Sequence, residues 1–479
     1  MQRKFLINLF LFLGFNLLVK SFWIFGIDRT VQNTVGEHTY GMYFALFNFS
    51  LLFNMFLDFG ITGFNNRSVA RSADFLHNAF SRVFTLKLLL GVFYILFVLF
   101  AGLLAGYNAS EYKLLMFLAL NQFLAGFILY LRSNISGLLL FKTDSFISVL
   151  DRIFMISLCA VLLWGNNVLP FRIEWFVYAQ TIAYLATVAV TLPIVLRKTK
   201  LKSPYIDYVY FRRIFTKSIP FALLALLTSL HNRTDSVFLE RLLPDGSEQA
   251  GIYASAFRLL DAAMMIAYLF SVLLLPLFAR MIAEKESVKA LLKTSFTLIF
   301  IYSVILAVVS FFYSYSLMEL LYHNHIQQSS DVFRLLMLSI APLSATYVFG
   351  SLLTANGNLK TLNLIAFSAM ILNIGLNIAI IPYWQAVGSA MASLCTQLLI
   401  ITVEIVVAVK IFSLKLSLKY ILKLVFFLLF TIVAGWLSLR LPFAWYICLG
   451  MLLAFCVFLS MVLRLIKVRD VISLLLKRR

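Results

Sequence analysis

Thr294-Ser-Phe-Thr-Leu-Ile-Phe-Ile-Tyr-Ser-Val-Ile-Leu-Ala-Val-Val-Ser-Phe-Phe312 contains no charged residue. A helix needs about 20 such residues to cross the hydrocarbon core of a bilayer. Segments of this kind recur about fourteen times, at 5–26, 40–64, 83–107, 114–140, 146–166, 173–196, 218–242, 250–279, 291–314, 332–355, 361–384, 386–411, 419–439 and 443–466. Apolar residues make up 62% of the chain and charged residues 13%, against roughly 25% charge in a soluble domain. The expected fold is therefore an all-α polytopic membrane protein. Spans of this length use roughly 280 of the 479 positions, which leaves short connections and no separate catalytic domain. The first span follows Arg3 and Lys4 but is too long for a secretory signal and lacks a small-residue cleavage site, so it reads as a retained signal-anchor.

Cations flank the spans on alternate sides. One side collects Arg3, Lys4, Arg67, Arg71, Arg82, Lys142, the stretch from Arg197 to Lys217, Arg280 to Lys293, Lys360, Lys410 to Lys419, and the tail from Arg464. The other side has scattered cations such as Arg29, Lys113, Arg172 and Arg440. Lys and Arg stay on the cytoplasmic side, so both termini are expected there, in a bacterial plasma membrane. Trp23, Trp164, Trp175, Trp384, Trp436 and Trp445 each fall at the outer end of a span, where indole rings favour the headgroup boundary. The net charge of +20 then reads as topology signal and attraction to anionic membrane lipid. A nucleic-acid partner is not expected, because the cations are spread over many loops. Cys159, Cys395, Cys448 and Cys456 lie inside spans without paired spacing and read as small apolar core residues.

Two short matches suggest an internal duplication. Tyr40-Gly41-Met42-Tyr43 corresponds to Ala250-Gly251-Ile252-Tyr253, and Lys142-Thr143 to Lys360-Thr361. The nearly equal offsets imply two parallel six-helix lobes, 1–200 and 218–412, joined by a basic cytoplasmic linker at 201–217. Residues 413–479 add two helices and a basic tail. Carriers are often built from such repeats.

Three groups of residues resemble a known family. They are Leu57-Asp58-Phe59-Gly60 with Arg67-Ser-Val-Ala-Arg71; Arg233-Thr-Asp235-Ser-Val-Phe-Leu239 with Gly251-Ile-Tyr253-Ala-Ser-Ala-Phe-Arg258; and Leu372-Asn373 through Asn377 to Ile381-Pro382. Their order and spacing resemble the polysaccharide repeat-unit flippases (O-antigen and capsule type) of the multidrug/oligosaccharidyl-lipid/polysaccharide exporter superfamily, over essentially the whole chain. Ala386-Val-Gly388-Ser departs from the family's more glycine-rich turn. The resemblance implies a V-shaped pair of lobes around a central cavity, working by alternating access. It also implies an undecaprenyl-diphosphate-linked oligosaccharide as substrate, moved from the inner to the outer leaflet, with a polysaccharide polymerase as a candidate partner.

Ionisable side chains inside a membrane are costly and normally face a cavity or a partner. Counting from Lys4 and Lys217 at 1.5 Å per residue puts Lys20 and Arg233 about 24 Å above the inner boundary, with Arg258 about 13 Å below the outer one. Ser229, Arg233, Ser236 and Glu240 form one helical stripe, and Ser255, Arg258 and Asp261 another. In the duplication Arg258 corresponds to Asn48. Lys20, Arg233, Arg258 and Asn48 are thus candidate contacts to the lipid diphosphate, which a guanidinium fork matches well. Asp235 and Asp261 are candidate cavity or coupling carboxylates. The competing reading pairs Arg258 with Asp261, and Arg233 with Asp235 or Glu240, as structural neutralisation; Lys20 could also snorkel to the interface. Asp58 and Asp151-Arg152 read as gate or interface pairs near the inner face, Arg132 has no assigned role, and Glu404 is an isolated carboxyl with either a coupling or a structural role.

An enzyme is not expected. No phosphate-cradling glycine loop or metalloprotease motif occurs, and His323-Asn-His325 lacks further metal ligands. No resident cofactor or metal is expected, and protons, sodium or the membrane potential are candidate driving forces. The alternatives to repeat-unit transport are a lipid II flippase and a cation-coupled multidrug exporter of the same superfamily; a membrane-bound polymerase or glycosyltransferase would need larger outer loops.

Overall fold

The computed structural model describes residues 18–71, 73–138, 140–165, 170–199, 208–414 and 417–465. Arg3, Lys4, residues 201–207 of the linker and the tail after Leu465 lie outside the described residues, as do the side chains of Arg67, Arg71 and Lys217. The chain divides into two compact units, Met1–Ala254 and Ser255–Arg479. The sequence-based lobes, divided at 201–217, are a different partition.

The first unit contains a helical run from Leu18 with a π-helical turn at Trp23–Asp28, then α1 (Arg29–Leu52), α2 (Met55–Asp58), α3 (Ile61–Arg71), α4 (Ala73–Leu104), α5 (Ala109–Gly137), α6 (Phe141–Trp164), α7 (Ile173–Leu196), α8 (Tyr208–Leu242) and the start of α9 (Gly246–Ala283). The second holds the rest of α9, then α10 (Lys289–Phe312), α11 (Ser314–Leu321), α12 (Ile326–Leu338), α13 (Ile340–Ala355), α14 (Leu359–Phe412), α15 (Leu418–Ser438) and α16 (Trp445–Val462).

Ten of the described helices are long and apolar enough to cross a membrane, and a bent pair, Leu18–Leu52 with Met55–Asn66, makes an eleventh. Two of these elements hold more than one span. α14 has 54 residues and breaks at Gln385, whose φ is 48°; straight, it would be about 81 Å long, against a core of about 30 Å. The break immediately precedes the Ala386-Val-Gly388 departure from the family pattern, and Gly388 lies against the Ile380 carbonyl, 3.0 Å from where a Cβ would stand. α1 turns at Gly36 (φ 79°), which separates the first and second spans. α8 is long enough but carries Arg233, Asp235, Glu240 and Arg241. Counting it and the separate arms of α1 and α14 agrees with about fourteen spans.

The Gly36 turn corrects the expected ends of the first two spans. The first helix does not stop near residue 26, and no loop leads to residue 40, because the helix runs on to one glycine at positive φ, where it kinks and resumes. Trp23 is therefore not at a helix end. It is 7% exposed and stacks on Phe176 at 5.7 Å. The other five tryptophans do lie at helix ends or beside the Gln385 break.

The core of the first unit joins α3, α4 and α5 through Ile61, Val69, Phe80, Val83, Tyr130 and Leu131. Asn65 donates to Ser133 Oγ at 2.8 Å and to Asn134 Oδ1 at 2.9 Å, while Asn66 donates to Ser136 Oγ at 2.9 Å. Between membrane helices such side-chain bonds and tight packing supply the adhesion that lipid, as apolar as leucine, cannot. In the second unit α15 and α16 pack on α10 through Phe427, Cys448, Leu452 and Cys456 against Ile301, Val304 and Val308. Gly435 leaves room for the Phe312 ring. Cys159, Cys448 and Cys456 are buried, but Cys395 is exposed, so it is not the core residue expected from its position in a span.

Candidate functional site

In the first unit the duplicated motifs meet. Gly41 on α1 and Gly251 on α9 face each other so closely that a Cβ on Gly41 would enter the backbone of Ser247 and Gly251, and one on Gly251 would enter that of Glu37. Gln32 Nε2 donates to the Gly251 carbonyl at 3.0 Å. Each side of this crossing carries a tyrosine–aspartate bond: Tyr40 donates to Asp28 Oδ2 at 2.9 Å and Tyr253 to Asp235 Oδ2 at 2.8 Å. Asp235 is thus held by a phenol in a buried setting.

The polar stripe of α8 runs along α1. Ser229 Oγ donates to the Leu51 carbonyl at 3.1 Å, and one turn on, Arg233 Nη1 donates to Asn48 Oδ1 at 3.4 Å. The Asn48 amide donates to the Phe44 carbonyl at 3.0 Å, which turns its oxygen towards the guanidinium. Asn48 is 2% exposed and Arg233 half-buried. A neutral amide orients a guanidinium through the hydrogen bond its carbonyl oxygen accepts. Glu240, one of the two candidate neutralising partners of Arg233, pairs with Arg241 at 2.9 Å; Arg241 also lies 3.7 Å from the Tyr107 ring centroid. Arg258 and Asp261 fall in the second unit, half-buried and one turn apart on α9.

Lys20 belongs to a different group. Its helix continues to Gly36, so about 24 Å of helix separates it from that turn. The charges acting on it are Arg152, Asp151 and Arg132. Arg132 Nε donates to Asp144 Oδ1 at 2.8 Å. Arg152 lies 3.8 Å from Asp151 and 5.4 Å from the Trp23 ring centroid. Three cations and two carboxylates leave this group with net positive charge, on the first helix, α5 and α6.

One buried charge escaped the sequence reading altogether. Lys87 on α4 is 3% exposed. It pairs with Asp58 and donates to the Leu57 carbonyl at 3.1 Å. Asp58 in turn accepts from the Thr62 amide at 3.1 Å. Phe59 (φ 44°) and Gly60 (φ 77°) break the second span here, and the pair satisfies groups on both sides of the break. The available signal was a lysine in the 83–107 apolar run, which required a carboxylate partner.

Guanidinium groups, an ammonium and amides suit an anion such as a phosphate. Among the described residues no cluster of three or more His, Cys, Asp or Glu side chains could hold a metal ion.

The sequence model of the polysaccharide biosynthesis protein family matches residues 29–282, more than half of the chain, and that of the MatE family matches residues 220–379. No curated protein matches at significant similarity. Among solved structures, the lipid II flippase MurJ in an inward closed conformation superposes with a TM-score of 0.62 at 14% identity, over 90% of this chain and 98% of that one. A multidrug resistance MATE family transporter of the MOP superfamily in an inward-facing conformation gives 0.65 at 12% identity, over 82% and 94%. A MOP superfamily transporter from Pyrococcus furiosus gives 0.56 at 14%, over 85% and 94%. The structural likenesses show a fold shared with transporters of the MOP superfamily, and the family match makes this chain a member of the polysaccharide biosynthesis protein family.

Proposed function

We propose that this protein is a membrane transporter that moves a polyprenyl-diphosphate-linked oligosaccharide from the cytoplasmic to the outer leaflet of a bacterial plasma membrane, by alternating access of two six-helix lobes, with both termini cytoplasmic. The observation that carries this reading is the Arg233–Asn48 contact: a guanidinium held by a buried amide inside a membrane helix pair. Arg233, Arg258 and Asn48 all lie within the stretch matched by the polysaccharide biosynthesis family. In this reading Arg233 and Arg258 contact the diphosphate, Asn48 positions Arg233, and Lys20, with Arg152, adds positive charge along the path. Asp235 and Asp261 line that path as its carboxylates. A polysaccharide polymerase would take up the delivered unit.

The test is complementation of surface polysaccharide in a strain lacking the gene. Arg233→Ala and Arg258→Ala should be inserted at normal levels yet fail to restore polymer. Full restoration by both variants removes the phosphate role. Rescue of peptidoglycan synthesis rather than surface polymer would assign lipid II as the cargo.

A further inference from the structure

The second unit contains a buried carboxyl that the transport path described above does not use. Glu404 lies on the second arm of α14 and is 3% exposed, so it is enclosed by protein and not presented to lipid. Its neighbours come from α13, which packs along α14. Gly350 presents a bare face: a Cβ there would stand 3.4 Å from Glu404 Oε1. One turn earlier, Thr346 lies near enough for its hydroxyl to act on the carboxyl. Thr346 Oγ1 and Glu404 Oε2 are both buried without a hydrogen-bond partner, one on each of the two packed helices.

Among the described residues no cation is paired with this carboxyl. α13 has no charged residue. On α12, Arg334 pairs with Asp331 at 3.1 Å and donates to Ser314 Oγ at 2.6 Å. On α10, Lys293 lies 4.7 Å from the Tyr420 ring centroid. Lys360 and Lys410 lie on α14 itself, and no charged group acts on Glu404. An unpaired carboxylate in such a place carries a desolvation penalty of several kcal/mol or more. A bound cation would need several more oxygen ligands than one carboxylate and one hydroxyl. A proton needs only the carboxyl: the neutral acid supplies its own donor, and Thr346 can accept or return it.

We propose that Glu404, with Thr346 and Gly350, is a proton-binding site of this transporter, neutral while α13 and α14 are packed together and ionised when water enters between them. No covalent bond changes; one proton leaves the carboxyl oxygen for water and returns. Coupling of that proton to transport rests on the function proposed above, whereas the site itself does not.

The two parts are separable by experiment. The full-length protein in lipid nanodiscs, without substrate, is examined by infrared spectroscopy from pH 5 to pH 9. The wild type should show a protonated-carboxyl C=O stretch that is absent in Glu404→Gln and shifted in Thr346→Val. The isosteric Glu404→Gln variant should remain monodisperse, and Thr346→Val provides a readout in which the acid itself is retained. Identical protonated-acid regions in wild type and Glu404→Gln overturn the site. In proteoliposomes, an imposed pH gradient should stimulate lipid-linked oligosaccharide flipping several-fold in the wild type and leave Glu404→Gln unstimulated. Full stimulation of Glu404→Gln overturns the coupling role.

Discussion

Gly41 and Gly251, 210 positions apart, stand face to face where α1 and α9 cross, each pressed against the other helix's backbone. They occupy the same place in the two copies of the motif ending in Tyr43 and Tyr253. The Asp28–Tyr40 and Asp235–Tyr253 bonds belong to the same unit.

A side chain at either glycine must push the helices apart. Gly41→Leu and Gly251→Leu should each destabilise the first unit by about 1–3 kcal/mol or more, the range for overpacking. Thermal unfolding in detergent reads this as a lower midpoint, with a smaller loss for Ala than for Leu.

The Asp58–Lys87 pair makes a second stability prediction. Removing one partner of a fully buried pair costs about 3–5 kcal/mol; Asp58 is 39% exposed, so the expected loss is smaller, about 2–3 kcal/mol. Asp58→Asn alone leaves Lys87 buried without its counter-charge. The double variant Asp58→Asn with Lys87→Met keeps an acceptor for the Thr62 amide and removes the orphan cation. It should therefore recover most of the lost stability, and a strictly additive double variant would contradict the pairing.

The sequence disclosed what depends on residue type and period. The polar stripe on α8 was legible from the spacing of Ser229 and Arg233, and the structure sets both against α1, where Asn48 lies. Register between helices was not legible, because lipid-like surfaces carry no marker of which neighbour they meet. Gly36 passed unnoticed since one residue can turn the chain without a loop composition. From that followed the misplacement of Trp23. Lys87 was hidden by the aliphatic residues around it, and only Asp58's position across the helix break explains it.

For the binding residues, charge and shape can be separated. Arg233→Ala should weaken substrate binding about 10- to 150-fold, equivalent to a charge-assisted contact of ~1.5–3 kcal/mol. Arg233→Lys should retain part of it, because lysine keeps the charge but loses the fork. Asn48→Ala should give a smaller loss in the Arg233→Ala background than alone, as expected of a positioning partner. A binding assay with a polyprenyl-diphosphate oligosaccharide in nanodiscs checks all three.

Arg258 and Asp261 are distinguished by reversal. If Arg258 contacts the diphosphate, exchanging the pair to Arg258→Asp with Asp261→Arg should fail to restore surface polysaccharide despite normal membrane levels. Restoration by the swapped pair would assign them a structural ion pair instead.

Topology is tested by cysteine labelling of the intact cell. A cysteine at Lys285 should react only after the membrane is permeabilised, and one at Asn324 should react with an impermeant reagent from outside. The opposite pattern at either site would invert the helices that follow.

The most direct measurement reconstitutes the full-length protein in proteoliposomes loaded with a fluorescent polyprenyl-diphosphate oligosaccharide and follows its arrival in the opposite leaflet with an impermeant quencher. The wild type should accelerate exchange at least tenfold over protein-free vesicles, and Arg233→Ala should remove most of that acceleration. Exchange no faster than in protein-free vesicles, or equal acceleration by Arg233→Ala, would contradict the account.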